Sequence, residues 1–371
     1  MNKTKILFII HLPPPIHGAA IMGQYIYNSE LINKTFDCYY VNLTLAKNLQ
    51  DINKGNFRKL FTFIGLLRKT IQQIRKINPE ICYVTPNAKG RAFYKDFIIV
   101  TLLKVKNQKI IIHYHDKGIS LNQNKIFDNF LYKIFFKNLN VILLSEILYN
   151  DIQKYVKRKN VFICPNGIPE KRNNNLLEQK NTIFNILFLS NMMKEKGVWE
   201  VLEVCKKLKE GGETFHCDFV GGWSDITKEA FEMKLKKYKL EDCIVAHGSK
   251  YDKEKESFMI HADVFVFPTY YHNECFPLVL LEAMEYGVPC ISTSEGAIPE
   301  IIEHERTGFI IEKKNPIILA NIIKELMHDE ELCVEMGRAG NKRFKENFTL
   351  DKFEKRMMEI LQTTISSINK V

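Results

Sequence analysis

The 371-residue sequence contains no Asp-x-Asp element, no Cys-x-x-Cys pair and no His-x-x-x-His pair. The first absence removes the usual carboxylate seat for a catalytic divalent cation, and the other two remove common zinc-ligand spacings. Nine cysteines are scattered along the chain, and their odd number argues against a disulfide framework, so they read as reduced, mainly core, thiols. No apolar run approaches the ~18 residues that a membrane span needs; the longest, residues 97–103, reads as a buried strand or helix segment. The start, Met1-Asn2-Lys3-Thr4-Lys5 followed by the apolar residues 6–10, has the look of a short signal peptide. It lacks a small-residue cleavage site and is interrupted by Pro13-Pro14-Pro15, so it reads as a first β-strand of a cytoplasmic protein.

What is present is a regular alternation of short apolar runs and helix-length amphipathic segments, the pattern of doubly wound α/β architecture. Strands are expected at 6–10, 38–41, 81–84, 109–113, 141–144 and 161–164, then at 185–189, 216–220, 243–247, 264–267, 290–292 and 308–310. Between the two sets, Pro165-Asn166-Gly167-Ile168-Pro169 and the polar residues 170–181 have the composition of a linker. Two domains follow, residues 1–167 and 168–350. Charge divides with them: residues 1–165 hold 25 Lys and Arg against 9 Asp and Glu, the remainder 28 against 34. The basic half suits a polyanionic surface, and anionic phospholipid fits better than nucleic acid because no recognition motif accompanies the charge. Residues 57–78 form an amphipathic helix candidate with Leu60, Ile64, Leu67, Ile71 and Ile74 at core spacing. Arg58, Lys59, Arg68, Lys69, Arg75 and Lys76 lie largely off that face, and Phe61, Phe63 and Leu66 do not fit the stripe. Such a helix either lies on an anionic membrane or is an ordinary helix with solvated charges.

The most chemical stretch runs from Glu274 to Ala283. An apolar strand ends at Pro268, and a helix is expected over residues 277–286, with Pro277 at its first position and Gly287 as its stop. Glu274 then precedes the helix and Glu282 lies within it. The helix start between them offers free N–H groups and a positive dipole to a diphosphate.

Glu274 and Glu282 in an E-x7-E spacing, then Gly287-x-Pro289, Gly296-x-x-Pro299-Glu300 and Thr307-Gly308-Phe309, resemble the donor-binding half of retaining glycosyltransferase family 4, the glycosyl transferases of group 1. That resemblance implies an α/β GT-B fold, two Rossmann-like domains facing each other across a cleft. The first would bind acceptor, the second the nucleotide-sugar donor, and a final helix, from about residue 351 to 371, would rejoin the first. Ser190-Asn191-Met192-Met193-Lys194-Glu195-Lys196-Gly197 resembles the family's Gly-Arg-x-x-x-x-Lys-Gly turn, with Lys196 as the phosphate cation and Asn191 where arginine is usual. By the same correspondence Glu282 meets the ribose hydroxyls and Glu274 the donor sugar. The N–H groups of Cys275 and Phe276 line the sugar, and those following Pro277, on Leu278 and Val279, hold phosphate. In the first domain Gly18 belongs to the loop that faces the diphosphate, and His115 matches a strand-end His-Asp pair that contacts the sugar. His113 reads as a core histidine.

The resemblance implies a hexosyl transfer with retention and with neither metal nor cofactor, from a UDP- or GDP-sugar to a lipid-linked or soluble glycan. Glu274, Lys196 and His115 carry it, in O-antigen or capsule synthesis at the inner face of the cytoplasmic membrane. A GT-B sugar-nucleotide epimerase and a non-catalytic nucleotide-sugar-binding protein are the competing readings. The first would turn sugar nucleotide over without an acceptor; the second would not turn it over at all.

Overall fold

The structure, a computed structural model, describes residues 3–44, 57–171 and 183–368, so most of the polar stretch after Gly167 lies outside the described residues. The chain divides into two compact units, Met1–Gly167 with Leu350–Val371, and Ile168–Thr349.

In the first unit β1 (Lys5–Ile10), β2 (Asp37–Asn42), β3 (Ile81–Val84), β4 (Ile110–His113), β5 (Asn140–Leu143) and β6 (Val161–Ile163) form a parallel sheet. Their order is β2-β1-β3-β4-β5-β6, with Leu7 opposite both Tyr39 and Cys82. Residues 6 to 10 are wholly buried, which is why β1 reads as an unbroken apolar run: helices cover both faces of a parallel sheet. The second unit repeats the plan with β7 (Phe184–Leu189), β8 (Phe215–Val220), β9 (Ile244–Gly248), β10 (Val264–Phe267), β11 (Cys290–Thr293) and β12 (Gly308–Ile311). Its order is β12-β11-β10-β7-β8-β9. All twelve strands fall within about one residue of their expected ranges, the usual scatter of element ends. The apolar run 97–103 is not a strand; it lies inside the helix Gly90–Val105.

Each sheet has a point where successive strands depart in opposite directions. In the first unit it falls between β1 and β3, in the second between β7 and β10. The crevice outside the carboxyl ends of such a strand pair is where open α/β sheets bind ligands.

Two helices differ in interest. The last, Leu350–Ile368, belongs to the first unit, burying Phe353, Met357, Ile360 and Leu361 on one side and packing against the helix Glu30–Thr35. The helix Phe57–Ile77 is present, but its buried stripe is not the expected one. Leu66, Thr70, Ile74 and Ile77 face inward, and Ile64 is exposed, as is Phe61 at 72%. The rotation is possible because Thr70 satisfies its own hydroxyl by donating to the Leu66 carbonyl (2.8 Å), so a polar residue can occupy the core side. The side chains of residues 57–60, Leu60 among them, lie outside the described ones.

Candidate functional site

The turn after β7 and the loop after β10 leave their sheet on either side of its switch point, and they meet. Gly197 ends the first with φ 88°, and a Cβ there would stand 2.6 Å from Pro268 Cγ and 2.7 Å from the Pro268 carbonyl oxygen. Only glycine fits this close approach. The Glu195 carbonyl accepts the Tyr270 N–H (2.8 Å), which ties the two loops together. The result is a direct ion pair of Lys196 Nζ with Glu274 Oε2, both side chains largely buried. The same ammonium lies 4.8 Å from the Tyr271 ring centroid and 5.3 Å from that of Phe267, a cation–π seat that holds it without quenching its charge.

From Glu274 the chain turns toward the helix Leu278–Glu285. Gly296, at φ 54°, lies against this turn; a Cβ there would be 2.3 Å from the Glu274 carbonyl oxygen. The Cys275 carbonyl accepts the Ala297 N–H (2.8 Å), so the Gly296 motif clamps the Glu274 segment in place. Cys275, Phe276 and Pro277 are buried, Leu278 and Val279 half-buried. Pro277 is not the first helical residue: with ψ 114° it is extended and stands at the cap, without a side-chain capping bond. The helix starts at Leu278, so its first N–H groups have no intrahelical partner.

Glu282 projects one helical turn further on. Its Oε1 accepts Lys255 Nζ at 2.7 Å, from the helix Asp252–Ile260, while Oε2 is buried and makes no hydrogen bond. The side chain is 22% exposed. A buried carboxylate oxygen without a donor is costly unless something outside the fold supplies one. Lys255 was not singled out in the sequence; nothing local marks it, because its partner is 27 residues away.

Ser190 is half-buried, its N–H on the Val220 carbonyl (3.0 Å), and Asn191 is exposed on the same turn. Gly222 approaches it closely enough that a Cβ there would stand 3.7 Å from Asn191 Oδ1.

In the first unit the strand ends gather imidazoles and amides. His11 follows β1, Asn87 follows β3, His115 follows β4 and Asn166 follows β6. His17 caps the helix Gly18–Asn28, its Nδ1 accepting the Ala20 N–H at 3.3 Å, and its ring lies 5.7 Å from that of His11. Gly18 begins this helix with open space beside it. Burial holds His11 well below the usual imidazole range and pushes His115 down to about 3, with the nearby His17 adding to the effect. These rings are neutral. Both ring nitrogens of His115 are buried, and the nearest polar side chain acting on them is that of Asn166, whose Oδ1 is buried too. His113 is a core residue as expected, its Nδ1 2.6 Å from the Tyr83 hydroxyl. Asp116 accepts the Ala88 N–H (3.0 Å), and burial pushes its carboxyl up to about 7. His11, His17, Asn87 and Asn166 were not picked out from sequence; their position just beyond parallel strand ends is the signal that could have found them.

Among the described residues no group of three or more His, Cys, Asp or Glu could hold a metal ion. No helix among them is long and apolar enough to cross a membrane.

Residues 167–343 match the family model described as glycosyl transferases group 1. The capsular polysaccharide biosynthesis glycosyltransferase CapM of Staphylococcus aureus is 29% identical over 314 residues, 78% of each chain. The amylovoran biosynthesis glycosyltransferase AmsK of Erwinia amylovora is 28% identical over 198 residues, 52% of this chain, which spans about half (48%) of that relative's length. Among solved structures, HepE from Anabaena in complex with UDP and glucose superposes with a TM-score of 0.72 at 17% identity, over 97% of this chain and 99% of that one. Residues 167–343 thus match the glycosyl transferases of group 1, and the two six-stranded units have the architecture of the GT-B fold.

Proposed function

We propose that the protein is a retaining glycosyltransferase that moves a sugar from a UDP- or GDP-sugar to a glycan, lipid-linked or soluble, in bacterial surface polysaccharide synthesis of the O-antigen or capsule type. The polysaccharide role draws support from the names of CapM and AmsK, and a nucleotide-sugar donor from the UDP and glucose bound to HepE. The observation that carries the reading is Glu282: one oxygen is fixed by Lys255 and the other is buried with no donor. A ribose hydroxyl is the donor this oxygen lacks.

With Glu282 on the ribose, the diphosphate falls at the start of the helix Leu278–Glu285, against the N–H groups of Leu278 and Val279. Lys196 faces the leaving phosphate. Its pairing with Glu274 aims the ammonium, and the incoming phosphate shares it as Glu274 turns to the sugar hydroxyls. Charge building on the leaving diphosphate is thus met by one lysine and backbone dipoles, without a metal or cofactor. Cys275 and Phe276 border the sugar, and Ser190 and Asn191 border the phosphates. His115, being neutral, offers a hydrogen-bonding group and not a fixed charge. The departing phosphate takes the acceptor's proton, and no side chain acts as a covalent nucleophile. The basic first unit meets an anionic membrane at the inner face of the cytoplasmic membrane.

Thermal shift with UDP-, GDP- and ADP-sugars identifies the donor base. With the matching nucleoside diphosphate, Glu282→Ala is expected to weaken binding roughly tenfold or more, from the about 1.5–3 kcal/mol of hydrogen bonds to a charged group. The 2′,3′-dideoxy nucleotide should bind variant and parent alike. Unchanged affinity of the variant for the ribonucleotide refutes the assignment.

A further inference from the structure

The first unit carries an apolar face that its own fold does not cover. The helices Gly90–Val105 and Ile126–Phe136 lie side by side and run the same way. Near their starts the Tyr94 hydroxyl donates to Asp128 (2.7 Å) and its ring lies 6.0 Å from that of Phe127. Near their ends Lys104 Nζ donates to the carbonyls of Ile134 (2.8 Å) and Phe135 (2.7 Å). Their inner sides are buried through Phe93, Ile99, Leu131 and Phe135. Their outer sides carry Tyr94, Ile98, Ile126, Phe127, Phe130 and Ile134, all exposed: Ile126 at 89%, Phe127 at 63% and Phe130 at 59%. A helix facing water alone would be polar there, and a contiguous patch of this kind marks a binding surface.

The charge around the patch says what binds. Residues 89–140 contain ten Lys and Arg against three Asp. Two of the three aspartates, Asp96 and Asp128, are buried, and Asp116 is turned onto the Ala88 N–H. Lys125, Lys133 and Lys137 are exposed beside the apolar stripe, as are Arg91 and Lys106. A second copy of this face would set cation against cation. A lipid surface with anionic headgroups offers negative charge over hydrocarbon, which is complementary on both counts.

We propose that this two-helix face seats the protein on an anionic membrane, with Ile126, Phe127 and Phe130 entering the interface and Lys125, Lys133 and Lys137 meeting headgroup phosphates. The proposal rests on the reading that the first unit meets a membrane and moves the contact away from the helix Phe57–Ile77.

Flotation of the full-length protein with mixed phosphatidylcholine–phosphatidylglycerol vesicles tests it, pure phosphatidylcholine vesicles serving as control. The parent protein should float with the anionic vesicles only. Phe127→Ser with Phe130→Ser should lower the bound fraction at least about tenfold, since each ring withdraws its buried area. Lys125→Glu, Lys133→Glu and Lys137→Glu together should abolish binding at low salt. Phe61→Ser with Ile64→Ser should bind like the parent. All the substituted side chains are exposed, and unchanged thermal melting confirms intact folding. If the parent stays unbound, membrane contact itself is wrong. If the parent floats and the Phe127/Phe130 variant floats equally, only the location is wrong. A parent dimer that this variant turns into monomer gives the face to a second copy and overturns the proposal.

Discussion

Glu285, next to the candidate site, is a carboxylate the fold holds in an unfavourable state. It is buried, accepts the Lys171 N–H, and burial pushes its carboxyl up to about 7. Its folded-state value lies above the ordinary one, so between the two the folded chain binds more protons than the unfolded chain, and stability falls as pH rises through that window. Glu285→Gln keeps an acceptor for Lys171 and removes the titration. Urea unfolding should find variant and parent alike below about pH 4.5 and the variant more stable by about 1–2 kcal/mol near pH 8, after allowance for solvent screening. A parent-like slope in the variant would show that Glu285 is not the group responsible. The individual glutamates of the site were legible, because Glu274 and Glu282 stand in a recognisable spacing. Their partners were only half so. Lys196 belongs to the turn that the sequence marks, whereas Lys255 acquires meaning only when its helix packs beside that of Glu282, and His11 and Asn87 only when sheet order brings distant strand ends together.

At the scale of elements, the two loops at the β7/β10 switch point depend on one contact. Gly197 at φ 88° against Pro268 allows the Lys196 turn to sit on the Glu274 loop. Gly197→Ala adds a left-handed strain and a clash with backbone, costing about 1–3 kcal/mol. It should lower the melting temperature and weaken nucleoside diphosphate binding together, since Lys196 is displaced from its aromatic seat. A variant that melts and binds as the parent would mean the loops are not coupled in this way. The sequence marks Gly197 as part of a lysine–glycine turn, but Pro268, 71 residues on, is the reason for it. Strands were the most legible elements, because a parallel sheet covered on both faces leaves unbroken apolar runs. The phase of the helix Phe57–Ile77 was not, because that segment carries more apolar residues than one face can bury, and a self-bonded Thr70 takes a place a hydrophobic residue was expected to hold.

For the whole molecule, each unit has its own sheet and core, and the last helix completes the first core. Phe353, Met357 and Leu361 of that helix are wholly buried, so Phe353→Ala should cost about 3–5 kcal/mol as a large-to-small core change. Both tryptophans of the chain, Trp199 and Trp223, pack around Phe231 in the second unit. Tryptophan fluorescence therefore follows the second unit, whereas far-ultraviolet circular dichroism follows both. In Phe353→Ala the dichroism transition should broaden and begin at lower temperature, and the fluorescence midpoint should move much less. Equal displacement of both signals would mean that the units unfold as one cooperative body, so that the tail helix stabilises the entire chain and not the first unit alone.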